Sequence, residues 1–136
     1  MGMFDIFEVS GSGVAVHRQW LDAISDNISN INTVRRTSEA AFQARYIEAV
    51  PAAATPGNPG GVAVAGVRLG SADGVEVSDP DNPLADARGM VRRPSIDLGE
   101  QMTDLIMAQR GYQANLAVVQ RATEAYQAAL QLGRST

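Results

Sequence analysis

The strongest constraint on this fold is a seven-residue repeat near the C-terminus. It runs Leu98, Met102, Leu105, Gln109, Tyr112, Leu116, Val119, Thr123, Tyr126 and Leu130, in steps that alternate four and three. That spacing keeps one stripe on one side of a helix roughly 50 Å long, and such a stripe stays wet unless another helix covers it. Asp97, with Glu100 three residues later, gives a capping-box-like start, and Gly133 suits a C-terminal cap. A helix is therefore predicted over 95–133.

The other end of the chain carries a weaker version of the same pattern. Over 3–33, Phe7, Val14, Leu21 and Ile28 recur every seven residues, with a second set at Met3, Ser10, His17, Ile24 and Ile31. Ser10 and His17 are poor seam residues, and Gly11 and Gly13 each disfavour helix by roughly 1 kcal/mol against alanine. Asn30-Ile31-Asn32-Thr33 ends the pattern, because Asn and Thr bond their own backbone in turns.

Between the helices the period changes. Phe42–Ile47 alternates and reads as a strand, Pro51–Gly61 as a flexible loop, Val62–Leu69 as a strand, and Val75-Glu76-Val77 as a short one. The prolines of Asp79-Pro80-Asp81-Asn82-Pro83 mark a turn. The expected organisation is an N-terminal seam helix at 1–33, an extended, β-rich segment with loops at 34–94, and a C-terminal seam helix at 95–136. Two long helices flanking a small β-rich middle make the chain mainly α. They are expected to pack antiparallel as a coiled-coil-like pair. Trp20 and Ile106 lie off the strict seams, which widens the apolar face beyond what one partner covers.

Composition removes most chemistry. The 136 residues are 45% hydrophobic, much of it alanine, with three Phe, one Trp and three Tyr, which is thin material for a deep core. Net charge is −4 and all basic residues are arginine, without the basic patch that nucleic acid requires. The absence of cysteine excludes disulfides, thiolate metal sites and thiol catalysis. His17, the only histidine, has no second metal ligand in sight. Asp79, Asp81 and Asp86 lack the spacing, the glycine and the closing Glu of a calcium loop. No catalytic, metal or cofactor site is expected, nor a membrane-spanning segment, and the acidic N-terminal stretch does not read as a cleavable signal.

Two longer motifs carry a resemblance. Ile24-Ser25-Asp26-Asn27-Ile28-Ser29-Asn30-Ile31-Asn32-Thr33 is similar to the signature IS-x-NI-A-N-x-NT of the flagellar axial proteins, with Ser29 in place of alanine. Asp79-Pro80, then Ala85-Asp86-Ala87-Arg88-Gly89-Met90-Val91-Arg92-Arg93-Pro94, resembles DP…DA-x-GYV-x-x-P. Glu100–Ile106 with Arg110-Gly111-Tyr112-Gln113-Ala114-Asn115 resembles EM-x-D-x-I-x-x-x-R-x-YEAN. Met90 replaces Tyr, Gly111 a Ser or similar residue, and Gln113 Glu. The chain thus resembles the flagellar basal-body rod proteins, of the proximal, FlgC type.

The resemblance implies a structural protomer in a helical tube and no enzyme. It implies a basal-body rod spanning the periplasm, carrying motor torque to the hook, built of protomers exported through the flagellar type III apparatus without a cleaved signal peptide. Partners would be copies of itself, other proximal rod proteins, a FliE-type adaptor and the distal rod protein. The residues expected at the assembly interface are Phe7, Val14, Trp20, Leu21, Ile24, Asn27, Ile28 and Asn30 from the first helix. From the last they are Leu98, Met102, Leu105, Ile106, Tyr112, Asn115, Leu116, Val119, Tyr126 and Leu130. The competing reading is a cytoplasmic coiled-coil adaptor or secretion chaperone, which needs the same seams but no tube.

Overall fold

The computed structural model describes residues 2–135. Helix α1 spans Met3–Ser29 and helix α2 Leu98–Arg134, with four strands between them: β1 Arg45–Ala52, β2 Gly61–Leu69, β3 Val75–Ser78 and β4 Met90–Arg93. This is the expected arrangement of long terminal helices around a small β-rich middle. At 1.5 Å per residue, α2 is about 55 Å long. No helix among the described residues is long and apolar enough to cross a membrane.

The helix ends follow local chemistry. The Asp97 carboxylate accepts from the Glu100 backbone N–H at 2.8 Å, satisfying one of the unpaired donors of the first turn. α2 continues through Gly133 to Arg134, so that glycine lies inside the helix and not at its cap. At the end of α1, Asn30 donates from Nδ2 to the Asp26 carbonyl at 2.9 Å and accepts from Thr33 Oγ1 at 3.1 Å.

β1 and β2 form an antiparallel hairpin, and β3 and β4 a second one, extended by a bridge between Arg35 and Arg92. The segment expected to be a flexible loop is ordered as the hairpin's far end. Pro51 pairs opposite Val62 within β1, tolerated because both strands of a two-stranded sheet are edges. Thr55 and Asn58 then exchange backbone hydrogen bonds across Pro56-Gly57. Proline followed by a glycine at φ +86° is type II turn chemistry. A bulge at Ala65 shifts the register between Glu48 and Ala49 and bends the hairpin.

The hairpin lies along α1 and α2 lies along its other side, so α1 is the central element. Ser12 fixes the hairpin: its Oγ accepts from the Val62 N–H at 3.1 Å and donates to the Val9 carbonyl. The core is as thin as composition implies. Val16, Ala23, Ile24, Ala41, Ala44, Val91 and Ala108 are its buried apolar residues.

Candidate assembly interface

The helices pair antiparallel. Phe4 meets Tyr126 edge-on at 6.2 Å between ring centroids, Gly13 lies against Asn115, Gly111 against His17, and Asn27 against Gln101. Each step toward the C-terminus of α1 thus matches an equal step toward the N-terminus of α2.

Half of the residues along this contact line are not those the heptad pattern singles out. On α2 it is formed by Gln101, Ala108, Asn115 and Ala122, spaced by seven, together with Leu105, Tyr112 and Val119. On α1 it is formed by Ser10, Gly13, His17, Ile24 and Asn27. Gly13, Asn27, Gln101, Ala108, Asn115 and Ala122 are the ones periodicity passed over. On α2 their only sequence signal is the seven-residue spacing of small or amide side chains one position before the seam residues.

Two glycines explain why. A Cβ on Gly13 would come within 2.5 Å of Asn115 Oδ1, and a Cβ on Gly111 would collide with the His17 imidazole. In each helix the packing side chain is also bonded back to its own glycine-bearing turn. His17 Nδ1 donates to the Gly13 carbonyl at 2.7 Å, and Asn115 Nδ2 to the Gly111 carbonyl at 2.8 Å. The result is a reciprocal clasp in which each helix offers one glycine and one polar side chain. Close backbone approach is what glycine uniquely permits, so part of the helix propensity lost at these positions is returned as packing.

Asn27 joins three elements. Its Oδ1 accepts from the Arg45 N–H at 2.8 Å, and its Nδ2 donates to the Arg45 carbonyl and to Gln101 Oε1, both at 2.9 Å. It is fully buried, as is Gln101. Asn27 therefore works inside the subunit, tying α1 to β1 and α2. Ile24 is buried beside it, and Trp20 is half-buried near His17.

The remaining seam residues form a different surface. Phe7, Val14, Leu21 and Ile28 are half-buried, while Leu98, Met102, Ile106, Leu116, Tyr126 and Leu130 are exposed. At about 100° per residue and in antiparallel register, the α1 set and Leu98, Met102 and Leu116 of α2 fall on the same side of the pair. That side faces away from the hairpin. Part of each seam is thus rotated off the line between the helices into one shared apolar face.

The segment leading into α2 is built around Asp86. Its carboxylate accepts from the backbone N–H groups of Met90 (3.0 Å) and Arg88 (2.8 Å), from Thr37 Oγ1 (3.0 Å) and from the Arg88 guanidinium. The Met90 hydrogen bond first, then those from Arg88 and Thr37, lower its pKa from 3.8 to about 2 against the opposing effect of burial. Gly89, at φ +72°, closes the turn. The Asp-Ala-x-Gly stretch is a turn that starts β4, with its acidic oxygens engaged by the chain itself.

Comparison with known proteins agrees with this architecture. Residues 87–132 match the family described as flagellar basal body rod FlgEFG protein C-terminal. The chain is 35% identical over 123 residues to the flagellar basal-body rod protein FlgC of Escherichia coli O6:H1, covering 88% of this chain and 89% of that protein. It is 29% identical to FlgC of Borreliella burgdorferi (96% and 97% covered) and 26% identical to FlgC of Bacillus subtilis (98% and 100% covered). These relatives are rod proteins, which leaves the adaptor or chaperone reading without support. Two seam-bearing helices around a β-rich middle, matched along nearly their whole length by rod proteins, place this chain in the FlgC family of flagellar basal-body rod proteins, structural components of the basal body.

Proposed function

We propose that the protein is a non-enzymatic protomer of the proximal rod that self-assembles with other rod proteins and passes motor torque to the hook. In this reading the rod spans the periplasm, and the protomer reaches it through the flagellar type III apparatus with no signal peptide removed. The neighbours are other proximal rod proteins, a FliE-type adaptor, the distal rod protein and further copies of the chain. The observation that carries the proposal is the apolar face on one side of the helix pair. Phe7, Val14, Leu21 and Ile28, with Leu98, Met102 and Leu116, leave a surface that only further helices of an assembly would cover. Torque transmission suits long helices cross-tied by Asn27 and the glycine clasp.

Leu116→Asp tests this reading. Leu116 is 36% exposed, so the carboxylate stays hydrated in the free subunit, while an assembly would bury it unpaired. The circular dichroism of the purified subunit should be unchanged, while the chain disappears from purified basal bodies and the cells lose motility. Wild-type motility with Leu116→Asp would refute the assembly role of this face.

A further inference from the structure

Two features on opposite parts of the molecule fit each other but cannot meet within one chain. The first is the C-terminal end of α2. The α1–α2 contact closes at Phe4 and Tyr126, yet α2 continues to Arg134 with Leu130 50% and Leu132 71% exposed. Leu130 and Leu132 thus lie past the last α1 contact, and this tail carries one cation, Arg134.

The second feature is a groove between α1 and β1. One part, a cavity of about 190 Å3, is lined by Val16, Trp20, Ile47 and Ala49. It adjoins, through Ile47, a second cavity of about 180 Å3 that includes Asp22 and Asp26. Asp26 is paired with Arg45 at 3.0 Å. Asp22 is exposed and makes no ion pair among the described residues. An apolar slot with an unpaired carboxylate at its edge calls for an apolar side chain followed by a cation.

We infer that the Leu130–Arg134 tail of one copy docks into the Trp20 groove of a neighbouring copy, with Leu130 and Leu132 toward Val16 and Trp20 and Arg134 toward Asp22. This rests on the rod reading and names one contact within it. The tail leaves its own helix pair at Phe4 and runs away from the groove, whose nearest α1 residue, Val16, is about 18 Å further along in the other direction. The contact is consequently between copies. It joins two different patches, which makes it heterologous and open-ended, as an extending helical assembly requires. It also extends the exposed apolar flank of the pair, because Leu130 lies in the same seven-residue set as Met102 and Leu116.

The experiment exploits the cysteine-free sequence. Gln19→Cys at the groove edge and Gln131→Cys in the tail are introduced together. Purified basal bodies are then treated with an added thiol oxidant, which takes up the two electrons released as the two thiols join. The double variant should give a ladder of crosslinked chains on denaturing gels, and each single variant monomers only. Adding Asp22→Arg should lower the crosslink yield about two- to fivefold, the range for a partly exposed ion pair, and adding Arg134→Asp as well should restore it. A double-cysteine chain that stays monomeric in basal bodies from motile cells overturns this contact and leaves rod membership standing. Absence of the unaltered chain from purified basal bodies removes the rod reading and this inference with it.

Discussion

Replacing Gly13 by alanine should destabilise the protein, although the same change at Gly11, two residues earlier in the same helix, should stabilise it. Both substitutions gain about 1 kcal/mol of helix propensity. At Gly11 nothing lies within 4 Å of the added methyl, so the gain stands. At Gly13 the methyl would sit 2.5 Å from Oδ1, 2.7 Å from Cγ and 2.9 Å from Nδ2 of Asn115. The amide can move only by giving up its 2.8 Å hydrogen bond to the Gly111 carbonyl, worth about 1 kcal/mol, or by forcing the helices apart. Overpacking of this kind costs about 1–3 kcal/mol, and because the propensity gain is common to both variants they should differ by about that amount. In urea denaturation followed at 222 nm, with a slope of about 1–3 kcal/mol/M, their midpoints should separate by about 1 M. Gly13→Ala combined with Asn115→Ala should recover most of the loss, because the obstructing amide is gone. Equal stabilisation by Gly11→Ala and Gly13→Ala would refute the reasoning, since it would mean that the clasp does not form in the isolated chain.

Two further outcomes follow from single residues. Asn27→Ala removes three hydrogen bonds and strands the Arg45 amide and the Gln101 side chain in a dry site. A loss of about 3–5 kcal/mol is expected in the same urea assay, on the scale of about 1–3 kcal/mol per unsatisfied buried group. Asp86, with its folded pKa lowered from 3.8 to about 2, stabilises the fold fully above pH 3.8, and that contribution is lost as pH falls from 3.8 through about 2. Asp86→Asn should therefore flatten the acid limb of stability against pH, and a carboxyl that titrates near 3.8 by NMR would contradict the hydrogen-bonded turn.

Local chemistry made much of this fold legible in the sequence. The seven-residue spacing identifies both long helices, because periodicity depends only on the geometry of one helix. The Asp97 cap, the turn at Asp79–Pro83, strands β2 and β3 and the rod-protein motifs are likewise short-range. β4 was hidden because Arg92 and Arg93 interrupt any apolar alternation. The far end of the hairpin was hidden because Pro51 and the glycines read as loop chemistry, when edge strands and a type II turn accept them. What the tertiary structure alone decided is the rotation of each helix about its axis. A heptad stripe shows that a helix has a contact line, but not which partner lies on it. Here the clasp of Gly13, His17, Gly111 and Asn115, and the three-way tie at Asn27, bring the backbones together along their small and polar positions. Phe7, Val14, Leu21, Ile28, Met102 and Leu116 are left on a shared flank. Sequence statistics treat glycine as a loss to a helix and a buried amide as a loss to a core. Both become favourable only when the opposite surface is in place, and that surface comes from residues about a hundred positions away in the chain.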